Sequence, residues 1–213
     1  MKQKHFIDSH KALTGPAVLL MMYFHGTWDL TAAWVYLALH GSYGLLWGIK
    51  SRVFPDASWE RPCGIGFGLL IWAALSLYWI APWLLITREI NPHPAIIALC
   101  VAVYAIGVFL HFAADMQKHF HLKYRAGSLL NDGLWSRTRN PNYLGELLIY
   151  GAFVSLPLHW APPLVLLLFL SAVWVPNMRR KDQSLARYPE FEAWKQRSGL
   201  LLPRLRPVGS GIT

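Results

Sequence analysis

Residues 63–87 read CGIGFGLLIWAALSLYWIAPWLLIT, a run with no charged side chain, and that run decides the class of fold. A helix needs roughly 20 apolar residues to cross the hydrocarbon core of a bilayer. Residues 94–114 meet the same requirement without a charge, and residues 28–48 carry only Asp29 near one edge. Residues 12–24 are shorter and read as a tilted or partly interfacial helix. After a polar stretch over residues 115–141, segments 143–158 and 161–175 form a helical hairpin whose turn is marked by Pro157, Pro162 and Pro163. The expectation is an all-α polytopic bundle of about six spans, a single membrane domain over residues 1–213. Residues 12–114 hold four spans, and residues 115–213 hold the hairpin and a polar tail.

Composition agrees with the apolar runs. Hydrophobic residues make up 54% of the chain and charged residues only 15%, too apolar a balance for a soluble domain of this length. The 11 Trp, 9 Tyr and 10 Phe exclude a disordered chain. A net charge of +9 invites a nucleic-acid reading, but the basic residues follow membrane topology instead. Placing the N-terminus in the cytoplasm puts Lys2, Lys4 and Lys11 before the first span, and Lys50, Arg52 and Arg61 after the second. Lys118, Lys123, Arg125, Arg137 and Arg139 follow the fourth. Arg179, Arg180, Lys181, Arg187, Lys195, Arg197, Arg204 and Arg206 follow the sixth. Of the 20 basic residues only Arg88 falls outside, so both termini are expected in the cytoplasm, in a bacterial inner membrane. The segment after the basic N-terminus lacks a small-residue cleavage site, so the first helix is expected to be retained. Cys63 and Cys100 fall at opposite ends of their helices, too far apart for a disulfide.

Glu146 is the only carboxylate in the apolar run that begins at Tyr143. Apolar surroundings favour the protonated form of a carboxyl group, which then donates a hydrogen bond or acts as a general acid. The competing reading is a carboxylate at the membrane edge paired with Arg137 or Arg139. Around it Asn140, Pro141, Asn142, Tyr143 and Gly145 make a polar turn at a helix start, with Asn142 able to read a carboxamide and Gly145 allowing close approach. An ordinary helix cap with interfacial anchors is the bland account of the same residues. His111, Asp115 and His119 share one helical face. A metal there is disfavoured, and hydrogen bonds from a ribose are a better use for Asp115. Tyr43, near His40, Lys50 and Arg52, is either a hydrogen-bond donor to a substrate oxygen or a belt tyrosine. Gly64, Gly66 and Gly68 have no preceding strand and read as helix packing rather than a dinucleotide loop. The Gly44 and Gly48 pair also has packing spacing.

The segment GLWSRTRNPNYLGE, residues 133–146, followed by YPEFEAWKQR at residues 188–197 and by Leu202 and Pro203, resembles a superfamily of membrane enzymes. It includes steroid 5-alpha-reductases, sterol reductases, isoprenylcysteine carboxyl methyltransferases and phospholipid methyltransferases. Methyltransferases of this type carry Arg-His-Pro at the turn, where Asn140 replaces the His, and paired acids where this chain has Lys181 and Asp182 before Leu185. Reductases favour Asn-Tyr-x-Gly-Glu, matched by Asn142, Tyr143, Gly145 and Glu146, although His111 stands where they have Asn.

The resemblance implies an NADPH-dependent reduction of an activated C=C bond in an apolar steroid, sterol or isoprenoid-like substrate. It implies Glu146 and Tyr43 as catalytic residues. Asp115, Lys118, Arg137, Arg139, Asn142, Tyr143, Arg180, Tyr188 and Arg197 become the cofactor-binding candidates. The cofactor would enter from the cytoplasm and the substrate laterally from the lipid. S-adenosylmethionine-dependent methyl transfer to a lipid or isoprenylcysteine-type acceptor is the alternative, and a noncatalytic lipid-binding protein is a second one.

Overall fold

Helices account for nearly all of the regular structure in a computed structural model that describes residues 1–205. Arg206, counted above among the basic residues, lies outside the described residues. The elements are α1 (Gln3–His25), α2 (Thr31–Val53), α3 (Ile65–Ser76), α4 (Ile80–Thr87), α5 (Pro94–Tyr124), α6 (Pro141–Ser155), α7 (Ala161–Phe169), α8 (Val175–Leu185) and α9 (Phe191–Arg197). No strand occurs among the described residues, only isolated bridges between Lys2 and Pro62 and between Thr138 and Gly199. Three helical runs, Ile65–Thr87, Pro94–Tyr124 and Ala161–Leu185, are long and apolar enough to cross a membrane. The run Ile65–Thr87 joins α3 to α4 through a 3-10 turn at Leu77–Trp79, and Ala161–Leu185 joins α7 to α8 through a π turn at Leu170–Trp174.

Several boundaries follow from local chemistry. Gly26 takes a left-handed conformation (φ 65°) and its N–H closes on the last carbonyls of α1, at Met22 and Tyr23. Pro141 opens α6, where its missing N–H costs nothing, and Leu144 N–H donates to the Asn140 carbonyl 3.0 Å away. The His159 ring accepts from Ala161 N–H at the start of α7.

Two elements outrun the sequence reading. α1 begins well before residue 12, because the basic N-terminal segment is itself helical. The run from residue 161 continues to Leu185 rather than ending near residue 175. In the π turn Val175 N–H bonds the Leu170 carbonyl five residues back, so the hydrogen-bond ladder is already shifted where Pro176 removes a donor.

The chain divides into two compact units. The first comprises Met1–Ala105 and Leu148–Leu167; the second comprises Ile106–Leu147 and the described residues from Leu168 onward. In the first, α1 packs on α2 so closely that a Cβ on Gly44 would lie 2.4 Å from the Lys11 carbonyl oxygen. Gly68 on α3 likewise meets the Phe6 ring, whereas Gly48, Gly64 and Gly66 show no comparable crowding. Val18, Met22, Ala32, Ala33 and Tyr36 are fully buried between these helices.

Lys11, counted above as a charge at the membrane edge, is buried at 4% exposure. Its Nζ donates to Tyr150 Oη at 2.6 Å and stands 4.2 Å from the centre of the Tyr43 ring. Cation–π attraction and that hydrogen bond offset part of the cost of burying the amine.

In the second unit a smaller core joins Ala114, Leu129, Trp135, Phe191 and Trp194. Its two indoles also fix the backbone. Trp135 Nε1 donates to the Ala114 carbonyl at 3.3 Å, and Trp194 Nε1 donates to the Trp135 carbonyl at 2.8 Å. The C-terminal helix α9 is thereby fastened beneath the turn that leads into α6.

Candidate functional site

The start of α6 meets α5 at Gly145. A Cβ there would lie 2.3 Å from His111 N and 2.7 Å from the Gly107 carbonyl, so no residue with a side chain fits without separating the helices. This approach brings His111 and Asp115, one turn apart on α5, against Asn142 on α6. His111 Nδ1 lies 3.1 Å from the Asn142 carbonyl oxygen, and His111 Nε2 lies 3.8 Å from Asp115 Oδ2. Asn142 Nδ2 donates to Asp115 Oδ1 at 3.0 Å. With its amide nitrogen held in this way, Asn142 keeps its side-chain oxygen buried and without a hydrogen-bond partner.

Immediately before Asn142, residues 139–140 are clasped by α8 and by the segment after α9. Arg139 Nε donates to both Asp182 carboxylate oxygens, at 2.9 and 3.2 Å, and its Nη1 donates to the Ser198 carbonyl at 2.7 Å. Asn140 is completely buried. Its Nδ2 donates to the Leu200 carbonyl at 2.8 Å, and its Oδ1 accepts from Lys181 Nζ at 2.6 Å. Lys181 Nζ also donates to the Arg139 carbonyl and stands 4.6 Å from the Trp135 ring centre.

Backbone bonds complete the clasp. Arg139 N–H donates to the Gly199 carbonyl, Gly199 N–H donates to the Arg137 carbonyl, and Thr138 Oγ1 donates to the Leu201 carbonyl. The two stretches of sequence that carry the family resemblance are therefore one structural object.

The clasp also relates two departures from the methyltransferase pattern that look separate in sequence. Where that pattern has a His at position 140 and an acid at position 181, this chain has Asn140 and Lys181, and the two side chains touch. A histidine donates to an acid; an asparagine oxygen accepts from an ammonium. In this chain the two positions are matched as donor and acceptor, Lys181 donating and Asn140 accepting.

The remaining candidates are distributed as follows. Arg137, Arg180 and Arg197 are exposed in the second unit, with Arg180 donating to Asn177 Oδ1. Lys118 on α5 and Tyr188 after α8 are half-buried. Tyr188 packs against the Trp135, Phe191 and Trp194 core and accepts from Arg187 at 3.3 Å. The Tyr143 ring lies 5.7 Å from Trp174, within the π turn. Glu146, partly exposed, stands one turn beyond Asn142 on α6. Arg139 pairs with Asp182, not with Glu146.

Tyr43 belongs to the first unit, where it is fully buried against Lys11, Tyr150 and Phe153, so it is not a belt tyrosine. Among the described residues no group of three or more His, Cys, Asp or Glu is arranged to hold a metal ion.

Sequence reading gave no role to Gln117, which ties α5 to the segment 132–134. Its Nε2 donates to the Asp132 backbone and side chain, and its Oε1 accepts from Leu134 N–H. Gly133, at φ 53°, leaves room for it. The only signal in sequence is a glutamine two residues past Asp115, on a different face of α5, too common to be singled out.

Residues 67–199 match the family described as "Protein of unknown function (DUF1295)", well over half of the chain. The chain belongs to that family. DUF1295 is a steroid 5-alpha-reductase-like family, which agrees with the resemblance carried by residues 133–146 and 188–197. Among curated proteins, the chain is similar to the Delta(14)-sterol reductase of Arabidopsis thaliana, at 28% identity over 158 residues. The alignment covers 66% of this chain and 41% of that relative, so the DUF1295 chain spans about two-fifths of the plant protein's length. No solved structure matches.

Proposed function

We propose that this chain is an integral membrane reductase that uses NADPH to reduce an activated C=C bond in a sterol- or isoprenoid-like substrate. The observation that carries the reading is the Asn142 carboxamide, with its nitrogen fixed by Asp115 and its buried oxygen unpartnered. That oxygen suits the carboxamide N–H of a nicotinamide, and the exposed cations of the same unit suit its phosphates. The similarity to a protein named as a sterol reductase supports the same class of reaction.

When bound, NADPH supplies a hydride to one carbon of the C=C bond. The chain's own residues do the rest. Asn142 would accept from the carboxamide N–H and so orient the nicotinamide. Asp115, with His111 beside it, acts as a positioning residue for Asn142, a more immediate use than contact with a ribose. Lys118, Arg137, Arg180 and Arg197 would offer the charge for the phosphates, and Tyr143 and Tyr188 would be the aromatic residues of the cofactor site. Arg139, bonded to Asp182 and Ser198, acts through the turn it holds. Glu146 donates the proton that balances the hydride, either to the substrate's second carbon or to its conjugated oxygen. Tyr43 is retained as a second hydrogen-bond donor, tested by Tyr43→Phe.

The membrane arrangement that goes with this reading has six spans, with both termini and the cofactor face in the cytoplasm. It is supported by the basic-residue asymmetry and by the three long apolar helices.

The test is anaerobic incubation of the detergent-purified protein with deuterated NADPH and a conjugated diene or enone sterol. Mass spectrometry should find one deuterium in the reduced product. Glu146→Gln should lower turnover at least about a hundredfold, the usual range for a general acid, while leaving NADPH affinity unchanged. Wild-type turnover in that variant would remove Glu146 from the mechanism. Stabilisation by S-adenosylmethionine alone would replace reduction with methyl transfer.

A further inference from the structure

Residues 198–204, after α9, form neither helix nor strand and lie as a latch across the turn that leads into α6. Every residue from Arg137 to Asn140 bonds it. The Arg137 carbonyl accepts from both Gly199 N–H and Arg204 N–H, each at 3.0 Å, and Arg139 N–H donates to the Gly199 carbonyl at 2.9 Å. Thr138 Oγ1 donates to the Leu201 carbonyl and Asn140 Nδ2 to the Leu200 carbonyl, both at 2.8 Å, while Arg139 Nη1 donates to the Ser198 carbonyl.

The latch gains little from apolar burial. Ser198, its first residue, is fully buried and its Oγ donates to the Trp194 carbonyl, so that end is anchored on the Trp135, Phe191 and Trp194 core. Beyond it Leu200 and Leu201 are only partly buried, and Leu202 is 68% exposed. Leu205, just past the latch, is 87% exposed. A segment held by hydrogen bonds with little buried apolar surface belongs to the low end of local stability and opens without the core beneath it.

Gly199 sets the shape of the latch. A Cβ there would lie 1.9 Å from the Leu202 carbonyl oxygen, so the chain folds back tightly and only glycine fits. The Arg204 guanidinium closes the far end on the Gln196 carbonyl of α9.

Opening reaches the cofactor site through the turn. Thr138, Arg139 and Asn140 are all buried. Without the latch, Thr138 Oγ1 and Asn140 Nδ2 lose their acceptors and Arg139 Nη1 loses one, and buried donors without partners are costly. The turn relaxes to satisfy them, and it runs directly into Pro141 and Asn142. Asn142 then leaves the geometry in which Asp115 holds its amide nitrogen.

We propose that residues 198–204 are a latch that opens independently of α9, and that NADPH binds only while the latch is closed. The inference rests on the reductase reading and adds to it the control of cofactor entry and release. Latch and cofactor are coupled reciprocally: closing favours binding, and binding favours closing.

Hydrogen exchange of the full chain in detergent, read by mass spectrometry on peptides spanning α9 and residues 198–205, tests it beside calorimetric titration with NADPH. The Gly199 and Arg204 amides should exchange faster than the Trp194 amide, which donates to the Glu190 carbonyl at the start of α9. With NADPH at about 100 times its Kd, exchange through an opening that excludes the cofactor should slow about a hundredfold. Thr138→Val keeps the side chain's shape and removes one hydrogen bond, so it should speed latch exchange about two- to tenfold while leaving α9 unchanged. Gly199→Ala should hold the latch open and weaken NADPH binding at least about tenfold, because apparent affinity falls with the closed fraction. Wild-type exchange in α9 shows that this variant is folded; if α9 loosens as well, Thr138→Val decides. Latch amides that exchange no faster than α9, or NADPH binding that leaves latch exchange unchanged, would overturn the proposal. A chain that takes up no NADPH in calorimetry would overturn the reductase reading and the coupling with it, an outcome distinct from failure of the latch alone.

Discussion

Asn140 and Lys181 allow the clasp to be tested as an interaction rather than as a pair of separate residues. Asn140→Ala removes a hydrogen bond from an ammonium at 2.6 Å and one to the Leu200 carbonyl at 2.8 Å. A hydrogen bond to a charged group contributes about 1.5–3 kcal/mol and a neutral one about 0.5–1.5 kcal/mol, so the variant should lose roughly 2–4 kcal/mol. Part of the loss is avoided because Lys181 keeps the Arg139 carbonyl as an acceptor. Lys181→Met, which nearly preserves length and apolar volume, removes the same shared bond from the other side.

In a double-mutant cycle the two losses should fall short of additivity by about 1.5–3 kcal/mol. The assay is denaturant unfolding in mixed micelles, read by tryptophan fluorescence from Trp135 and Trp194, which lie beside the clasp. Asn140→His combined with Lys181→Glu should recover stability relative to either single change, because donor and acceptor are again matched. Additivity within about 0.5 kcal/mol, the ordinary scatter for independent sites, would show that the contact contributes nothing and that the exchange of residues at these positions is not compensatory.

Three further outcomes follow from the same geometry. Gly145→Ala places a methyl group against the His111 and Gly107 backbone. It should cost about 1–3 kcal/mol, typical of overpacking, and should weaken NADPH binding by moving Asn142, as a melting series with and without NADPH can show. Arg139→Leu leaves the Asp182 carboxylate facing a largely buried site without its partner. A loss of about 3–5 kcal/mol is expected, whereas an unchanged unfolding midpoint would mean that the pair is effectively solvent-screened. At the N-terminus, hydrogen bonds from Lys2 and Lys4 hold the Glu60 carboxyl below its ordinary range. Its contribution is therefore complete at neutral pH, persists through about pH 4.3, where a free glutamate half-titrates, and disappears only as the pH falls further. Hydrogen exchange at the Lys4 amide, which donates to the Trp59 carbonyl, should show that profile, and Glu60→Gln should remove the dependence.

Much of this architecture is legible in the sequence, because bilayer-length apolar runs and helix-breaking residues are local signals. The helical run at residues 65–87, the apolar part of α5 over residues 94–114, the start of α6 at Pro141 and the close approach at Gly44 all follow from such signals, whereas α5 runs on to Tyr124 through residues read as polar. The shared face of His111 and Asp115 follows from helical spacing alone. Lys11 shows where local reading fails. Its charge counts toward topology in sequence, yet the side chain is buried against Tyr43 and Tyr150, the second of which is 139 positions away. Asn140 shows the same limit in the site, since its two partners, Lys181 and Leu200, are 41 and 60 positions distant. The continuation of the run from residue 161 past residue 175, through α8, was hidden by Pro176, which ends an ordinary helix but is accommodated after a π turn. Contacts between distant residues, and local departures from the regular helix, leave no periodic mark in a single sequence.

The central claim rests on the unpartnered oxygen of Asn142, and calorimetric titration of the detergent-purified protein with NADPH tests it most directly. The wild-type chain should bind NADPH, and Asn142→Leu, which keeps the volume but removes the acceptor, should weaken binding about tenfold, the equivalent of about 1.4 kcal/mol. Retained helicity in that variant, with S-adenosylmethionine giving no heat in either protein, completes the expected result. Binding of S-adenosylmethionine in place of NADPH, or NADPH binding indifferent to Asn142→Leu, would contradict it.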